Sequence, residues 1–198
     1  MGPLSRLIEI GLVRREVPFG ESEKNSKKSL YTLSDPFCRF WFTIMATRRS
    51  LFESAPKTVR LGIWRRYQQQ VFASAWEELA KACVVRSERL RALAGTDGYW
   101  LPAGRWWHKT EPEWDVVAMS GEGDQVLLGE AKWSEKPYSK KEIELMAARL
   151  KHRDSPLGMA QNRRYALFLS SVKKDCRPNW TCNDVEIITA EDVVSALV

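Results

Sequence analysis

"EWDVVAMSGEGDQVLLGEAKW", residues 113–133, decides the reading of this chain. Two apolar stretches flank "SGEGD", a turn-forming cluster, and the pattern predicts a β-hairpin. Equal arms folded about that turn set Asp115 opposite Glu130. Side chains alternate across a strand, so Val126, Leu128, Glu130 and Lys132 share one face. Leu127, Gly129 and Ala131 share the other, and Asp115, Val117 and Met119 form a face of the preceding strand. The run from Val126 to Leu128 is apolar on both faces, as in a central strand of a covered sheet. Gly129 and Ala131 leave their side lean, which predicts a closely packed helix there.

The charges at the end of this hairpin have a chemical use. Asp115 and Glu130 converge as oxygen donors, with Lys132 one strand step further on. Hard divalent cations such as Mg2+ or Mn2+ prefer such ligands. A metal held against a phosphodiester polarises its phosphoryl oxygen, and a nearby lysine orients water or stabilises the developing charge. Asp115 and Glu130 are therefore candidate metal ligands and Lys132 a candidate catalytic group. The alternative is a surface hairpin whose ion pairs contribute little, because a D…ExK spacing is common by chance. Three features favour the site: the central-strand pattern, flanking helices, and an acidic residue, Glu77, on the helix upstream.

That helix is the longest helical signal, "IWRRYQQQVFASAWEELAKACVV" at 63–85. Trp64, Tyr67, Val71, Ala75, Leu79 and Ala82 form its expected stripe, with Glu77 alongside. A short strand is expected near Arg105 to His108, before the hairpin. There His108 either assists the site or belongs to an amphipathic strand with Trp106 and Trp107 in a core or interface. After the hairpin, "SKKEIELMAARLKHR" (139–153) is a helix with Ile143, Met146, Ala147 and Leu150 inward. "RYALFLSS" (164–171) is a buried strand, and "DVEIITAEDVVSALV" (184–198) is a strand followed by a helix capped near Thr189. From Trp64 onward the order predicts a mixed α/β domain with a central sheet.

The N-terminal part differs. Leu4, Leu7 and Ile8 mark a short helix stopped by Gly11. "LVRREVPF" and "LYTLSD" are strand-like, and the polar "GESEKNSKKS" lies between them. Helix, strand, charged loop, strand is the second half of a winged helix-turn-helix, with its wing tip at residues 21–29. A complete module has two more helices, so the chain is expected to begin partway into that domain. Lys24, Lys27 and Lys28 are candidates for phosphate contact, against a solvated loop or a domain–domain contact as alternatives. Asp35 caps and Pro36 opens a helix expected to bury Phe37, Phe40, Trp41 and Ile44. The expected organisation is 1–46 partial winged helix and following helix, 47–63 linker, and 64–198 α/β domain.

Composition sets the outer bounds. The 198 residues are 44% hydrophobic and 28% charged, as in ordinary globular chains. No apolar run approaches the ~20 residues that span a bilayer, and no signal-peptide pattern opens the sequence, so a cytoplasmic protein without a membrane is expected. The net charge of +6 suits a polyanionic partner such as DNA. Cys38, Cys83, Cys176 and Cys182 form no C-x-x-C pair, which predicts reduced thiols rather than a zinc site.

"WEELAK" (76–81), "EWDVVA" (113–118) and "LLGEAKW" (127–133) resemble the PD-(D/E)xK nuclease superfamily. More closely, they are similar to a domain of unknown function found at the C-terminus of archaeal and bacterial AAA-like ATPases. "LIEIGLVRREVPF" (7–19) and "YTLSDPFCRFWF" (31–42) carry that likeness across most of the chain. The resemblance implies a restriction-endonuclease-like mixed sheet flanked by helices. It also implies metal-dependent hydrolysis of nucleic-acid phosphodiesters, with Glu77, Asp115, Glu130 and Lys132 as the active-site set and Mg2+ or Mn2+ as cofactor. Glu113 would support that set, and an ATPase domain or subunit would be a partner. A non-catalytic DNA-binding or regulatory module beside such an ATPase is the alternative. The sequence departs from the pattern in three ways: it has no G-x-x-x-x-G-K-[ST] motif, its winged helix is truncated, and Trp114 stands where the superfamily name has proline.

Overall fold

A computed structural model describes residues 2–22, 24, 27–156, 162–176 and 181–198. Residues 23, 25 and 26 of the expected wing tip lie outside the described residues. The chain forms two compact units, residues 1–17 with 21–75, and residues 18–20 with 76–198.

In the first unit, α1 (Pro3–Glu9) is followed by Gly11 at φ +73°, a left-handed conformation that ends a helix without a Cβ penalty. Strands β1 (Val13–Glu16) and β2 (Leu30–Leu33) then pair antiparallel, Val13 with Leu33 and Glu16 with Leu30. The Asp35 carboxylate accepts from the Cys38 amide at 2.7 Å and caps α2 (Pro36–Phe40). The helix does not continue as α. It passes into a π segment at Trp41–Met45, a 3-10 turn at Ala46–Arg48, and α3 (Arg49–Ser54). The changed winding breaks the expected apolar face. Ile44 is buried, but Phe37 is 64% exposed and Trp41 and Phe42 are exposed as well. Residues 47–63 hold α3 and the start of α4 (Lys57–Cys83).

α4 runs from the first unit into the second, which begins at Trp76. Its buried face over the last turns is Trp76, Ala80 and Cys83. The expected stripe is therefore displaced: Leu79 is 43% exposed and Ala82 is also exposed. Leu79 and Ala82 extend the apolar arc beside Trp76, Ala80 and Cys83, so periodicity alone does not choose which part of it is buried. The choice rests on Trp76, whose indole N–H donates to the Phe168 carbonyl at 2.9 Å.

Among the described residues the second unit holds a six-stranded mixed sheet in the order β3-β4-β5-β6-β8-β7. These strands are β3 (Gly104–Trp106), β4 (Trp114–Met119), β5 (Gln125–Lys132), β6 (Asn162–Leu169), β7 (Thr181–Cys182) and β8 (Val185–Thr189). The pair β4–β5 is antiparallel, while β5–β6 and β6–β8 are parallel. β7 is a short antiparallel edge strand that periodicity does not reveal. Helix α5 (Glu88–Arg91), the end of α4 and α7 (Ala190–Leu197) contribute to a core with Val116, Ala118, Leu127 and Phe168. Helix α6 (Lys140–Lys151) packs Ile143, Ala147 and Leu150 on the other side, with Val117, Val126 and Leu128. Met146 is only partly buried against that core.

The hairpin has the expected register: Val116 faces Gly129 and Met119 faces Val126. Gly123, at φ +74°, turns the chain, and Ser120 accepts and donates across the turn with Gly123, Asp124 and Gln125. Val126, Leu127 and Leu128 are fully buried, so β5 is central. Gly129 also makes room for its strand neighbours. A Cβ there would lie 2.9 Å from the Phe168 ring and 3.1 Å from Val116 Cβ. The nearest atoms belong to neighbouring strands, while the expected helix packing on this face is supplied by α4, α5 and α7, which share a core with Leu127 and Ala131. Thr189 caps α7 through Asp192. All four cysteines are free thiols; burial pushes Cys83 up to about 12, which keeps it protonated at neutral pH.

Candidate functional site

The site begins at an irregularity in β4. Gly104 pairs with Val117 while Trp106 pairs with Trp114, so β4 carries one residue more than β3 across this span. This is a β-bulge at Asp115 and Val116. It breaks strict alternation: Trp114 packs in the same core as Val117 and Leu128, although three positions separate it from Val117. At the bulge Asp115 turns its carboxylate onto β5 and accepts from the Ala131 amide at 3.0 Å.

Asp115 is the common neighbour: its carboxyl acts on Glu77 and is acted on by Glu130 and Lys132. Burial raises the Asp115 carboxyl above its ordinary range, and Glu130 adds to the rise. The Ala131 N–H, Lys132 and Arg105 pull the other way. Burial also raises Glu77, and Asp115 is the next contributor, opposed by Arg105 and Lys81. Two half-buried carboxyls are thus raised towards the protonated form, each by burial first and then by a neighbouring carboxylate, Glu130 for Asp115 and Asp115 for Glu77.

Glu130 is held differently. Lys132 Nζ pairs with its Oε1 and Arg153 Nη2 with its Oε2. The Glu130 side chain is only 13% exposed, whereas Lys132 is 43% exposed. Both oxygens are therefore engaged by cations. Arg153 lies just past α6, 5.0 Å above the Trp114 ring, and its Nη1 donates to the Glu113 carbonyl at 2.9 Å. Trp114 in turn donates from its indole nitrogen to the Asp154 carbonyl at 3.1 Å.

Glu113 organises the other side. Its carboxylate pairs with Arg105 from β3. Burial disfavours the Arg105 charge, but Glu113, Glu77 and Asp115 outweigh it and raise its pKa. Arg105 Nε is buried and has no hydrogen-bond partner among the described residues. Tyr138 also senses Lys132 and Glu130; burial is the main cause of its raised phenol pKa.

Arg105, Arg153 and Tyr138 escape a reading by spacing. Arg153 sits in "KHRD", an ordinary basic helix end, and only the chain's return past Trp114 brings it to Glu130. Alternation could have suggested Arg105, which lies between the two residues that pair with β4. His108 stacks with Trp106 at 6.4 Å between ring centroids and has Thr110 at 3.3 Å. Lys24, Lys27 and Lys28 belong to the loop of the first unit; the first two are exposed, and Lys28 pairs with Glu21 at 3.0 Å. Among the described residues, no group of three or more His, Cys, Asp or Glu side chains is placed to hold a metal ion. No helix among them is long and apolar enough to cross a membrane.

The profile of the family DUF234, "Archaea bacterial proteins of unknown function", matches residues 41–147. That span is more than half of the chain and includes Glu77, Asp115, Glu130 and Lys132, and the chain belongs to this family. A protein of Methanocaldococcus jannaschii described as uncharacterized is 26% identical over 179 residues, covering 90% of this chain. The chain spans 38% of the length of that relative. No solved structure matches.

Proposed function

We propose that this DUF234 chain carries a metal-dependent phosphodiesterase site for nucleic acid, DNA above all, on a restriction-endonuclease-like sheet. The carrying observation is the bulge that sets the Asp115 carboxylate on the Ala131 amide, within electrostatic reach of Glu77, Glu130 and Lys132. The donor set suits a hard cation: burial and neighbouring carboxylates raise both Glu77 and Asp115, and positive charge beside them relieves this. Asp115 and Glu130 would hold Mg2+ or Mn2+, with Glu77 in support. The bound ion supplies a Lewis acid at the phosphoryl oxygen.

The chain's own groups do the rest. The Ala131 amide fixes the direction of Asp115. Lys132, the more exposed partner of its ion pair, is available to orient the attacking water or to face the charge that develops on phosphate. Arg105 supplies a second cation, aimed by Glu113. The net charge of +6 favours approach of a polyanion.

A second reading is a non-catalytic DNA-binding or regulatory module beside an AAA-like ATPase. It is favoured by Glu130, whose two oxygens are both paired. The readings separate on cleavage of plasmid and single-stranded DNA with Mg2+ or Mn2+. Wild type should cut, and Asp115→Ala and Lys132→Ala should each lose about 100-fold or more in rate. Equal activity in all three proteins would mark a contaminant and sink the claim. Salt-sensitive binding without hydrolysis, untouched by Asp115→Ala, would favour the second reading.

A further inference from the structure

We infer that Arg153 is an exchangeable latch on Glu130, which leaves the carboxylate for a phosphate of the nucleic acid and so ties metal affinity to substrate binding. This rests on the metal-site reading above. A cation sits on each Glu130 oxygen, and this positive charge opposes a further cation at the same carboxylate. Its two cations are not equivalent. Lys132 is two residues away on the same strand, and the strand keeps it beside Glu130. Arg153 arrives from the end of α6, with its backbone anchored and its head group lying over a flat ring. Its amide donates to the Leu150 carbonyl at 3.2 Å, and Trp114 holds the next carbonyl at 3.1 Å. Exchange is therefore a movement of the side chain alone, across the face of Trp114.

The chemistry favours that exchange when phosphate arrives. Release breaks the bond to Glu130 and the neutral bond to the Glu113 carbonyl. A phosphodiester replaces both with charge-assisted bonds in the fork geometry that guanidinium prefers. Once Arg153 leaves, Glu130 keeps one cation, Lys132, in place of two, and the added negative charge near Asp115 favours a divalent cation. Phosphate and metal thereby help each other to bind, and linkage makes the gain equal in both directions.

Mn2+ titration of the full chain, by calorimetry without nucleic acid, reads the latch directly. Arg153→Met, which keeps an apolar contact for Trp114, should bind Mn2+ about tenfold more tightly than wild type. Arg153→Lys retains a cation for Glu130 and should stay near wild type. A short phosphorothioate DNA duplex should raise Mn2+ affinity in wild type and do so much less in Arg153→Met. An unchanged or weaker affinity in Arg153→Met would overturn the latch, as would an equal gain in Arg105→Met, which removes a cation not bonded to Glu130. If no protein, with or without DNA, binds Mn2+ better than Asp115→Asn, the metal reading itself falls and the latch falls with it.

Discussion

The two units solve the problem of burial very differently. In the first, Val13 and Ile44 are the buried apolar side chains among the described residues, while Leu4, Ile10, Tyr31, Phe37 and Phe42 stand exposed. Its order comes from local devices: the left-handed Gly11, the Asp35 cap, and Arg48, which lies 4.2 Å over the Tyr67 ring and donates to its hydroxyl at 2.6 Å. The second unit buries both faces of a sheet. Correct local signals can therefore produce helices and a hairpin without producing a core. A core needs non-local registration, and the candidate site is found where that registration is interrupted by the bulge in β4.

The comparison breaks most visibly at Phe168, whose ring fills the space beside Gly129 and whose carbonyl accepts from Trp76. Phe168→Ala should destabilise the second unit by about 4 kcal/mol in urea unfolding, the usual cost of emptying such a position. A loss under about 1 kcal/mol would mean that the sheet collapses into the cavity and that its packing is less demanding than the geometry implies.

Asp115→Asn tests whether the site works against its own scaffold. The folded-state carboxyl is raised, so its favourable contribution is complete below its ordinary range and is lost as pH rises through the folded value. At neutral pH the charged group is then a cost. The amide variant can still accept from Ala131 and should be more stable at pH 7, with an advantage that shrinks on acidification. Thermal unfolding across pH checks this, and a less stable variant at pH 7 would contradict it. The smallest effect belongs to the first unit. Phe37→Ala should change stability by no more than about 0.5 kcal/mol, because its side chain is 64% exposed. A larger loss would show that this surface is covered in solution.

How far the fold could be read from sequence follows the same divide. The hairpin register was legible because a symmetric turn leaves one pairing that keeps apolar residues together. The central position of β5 was legible because Val126, Leu127 and Leu128 serve both faces. The buried face of α4 was not, since Leu79 and Ala82 continue an apolar pattern that tertiary contacts do not use. The π segment was invisible because nothing in the apolar spacing of Trp41–Met45 distinguishes it from a continuing α-helix. In the site, Asp115, Glu130 and Lys132 are near in sequence or in register and could be grouped. Arg153 could not, because its partner stands 23 residues away across an intervening helix.

The bulge in β4 has a consequence for how this protein can change over time. A regular strand binds each residue's fate to its neighbours, since losing one position turns every later side chain to the wrong layer. One surplus residue breaks that chain of obligation. Trp114 answers to Asp154 and Arg153, Asp115 to β5, and the ladder from Val116 onward to its own partners. The hydrophobic half of β4 can drift in sequence without moving the acid. A single-residue deletion at the bulge is the one small event that would rejoin the two halves, and lineages should tolerate it least.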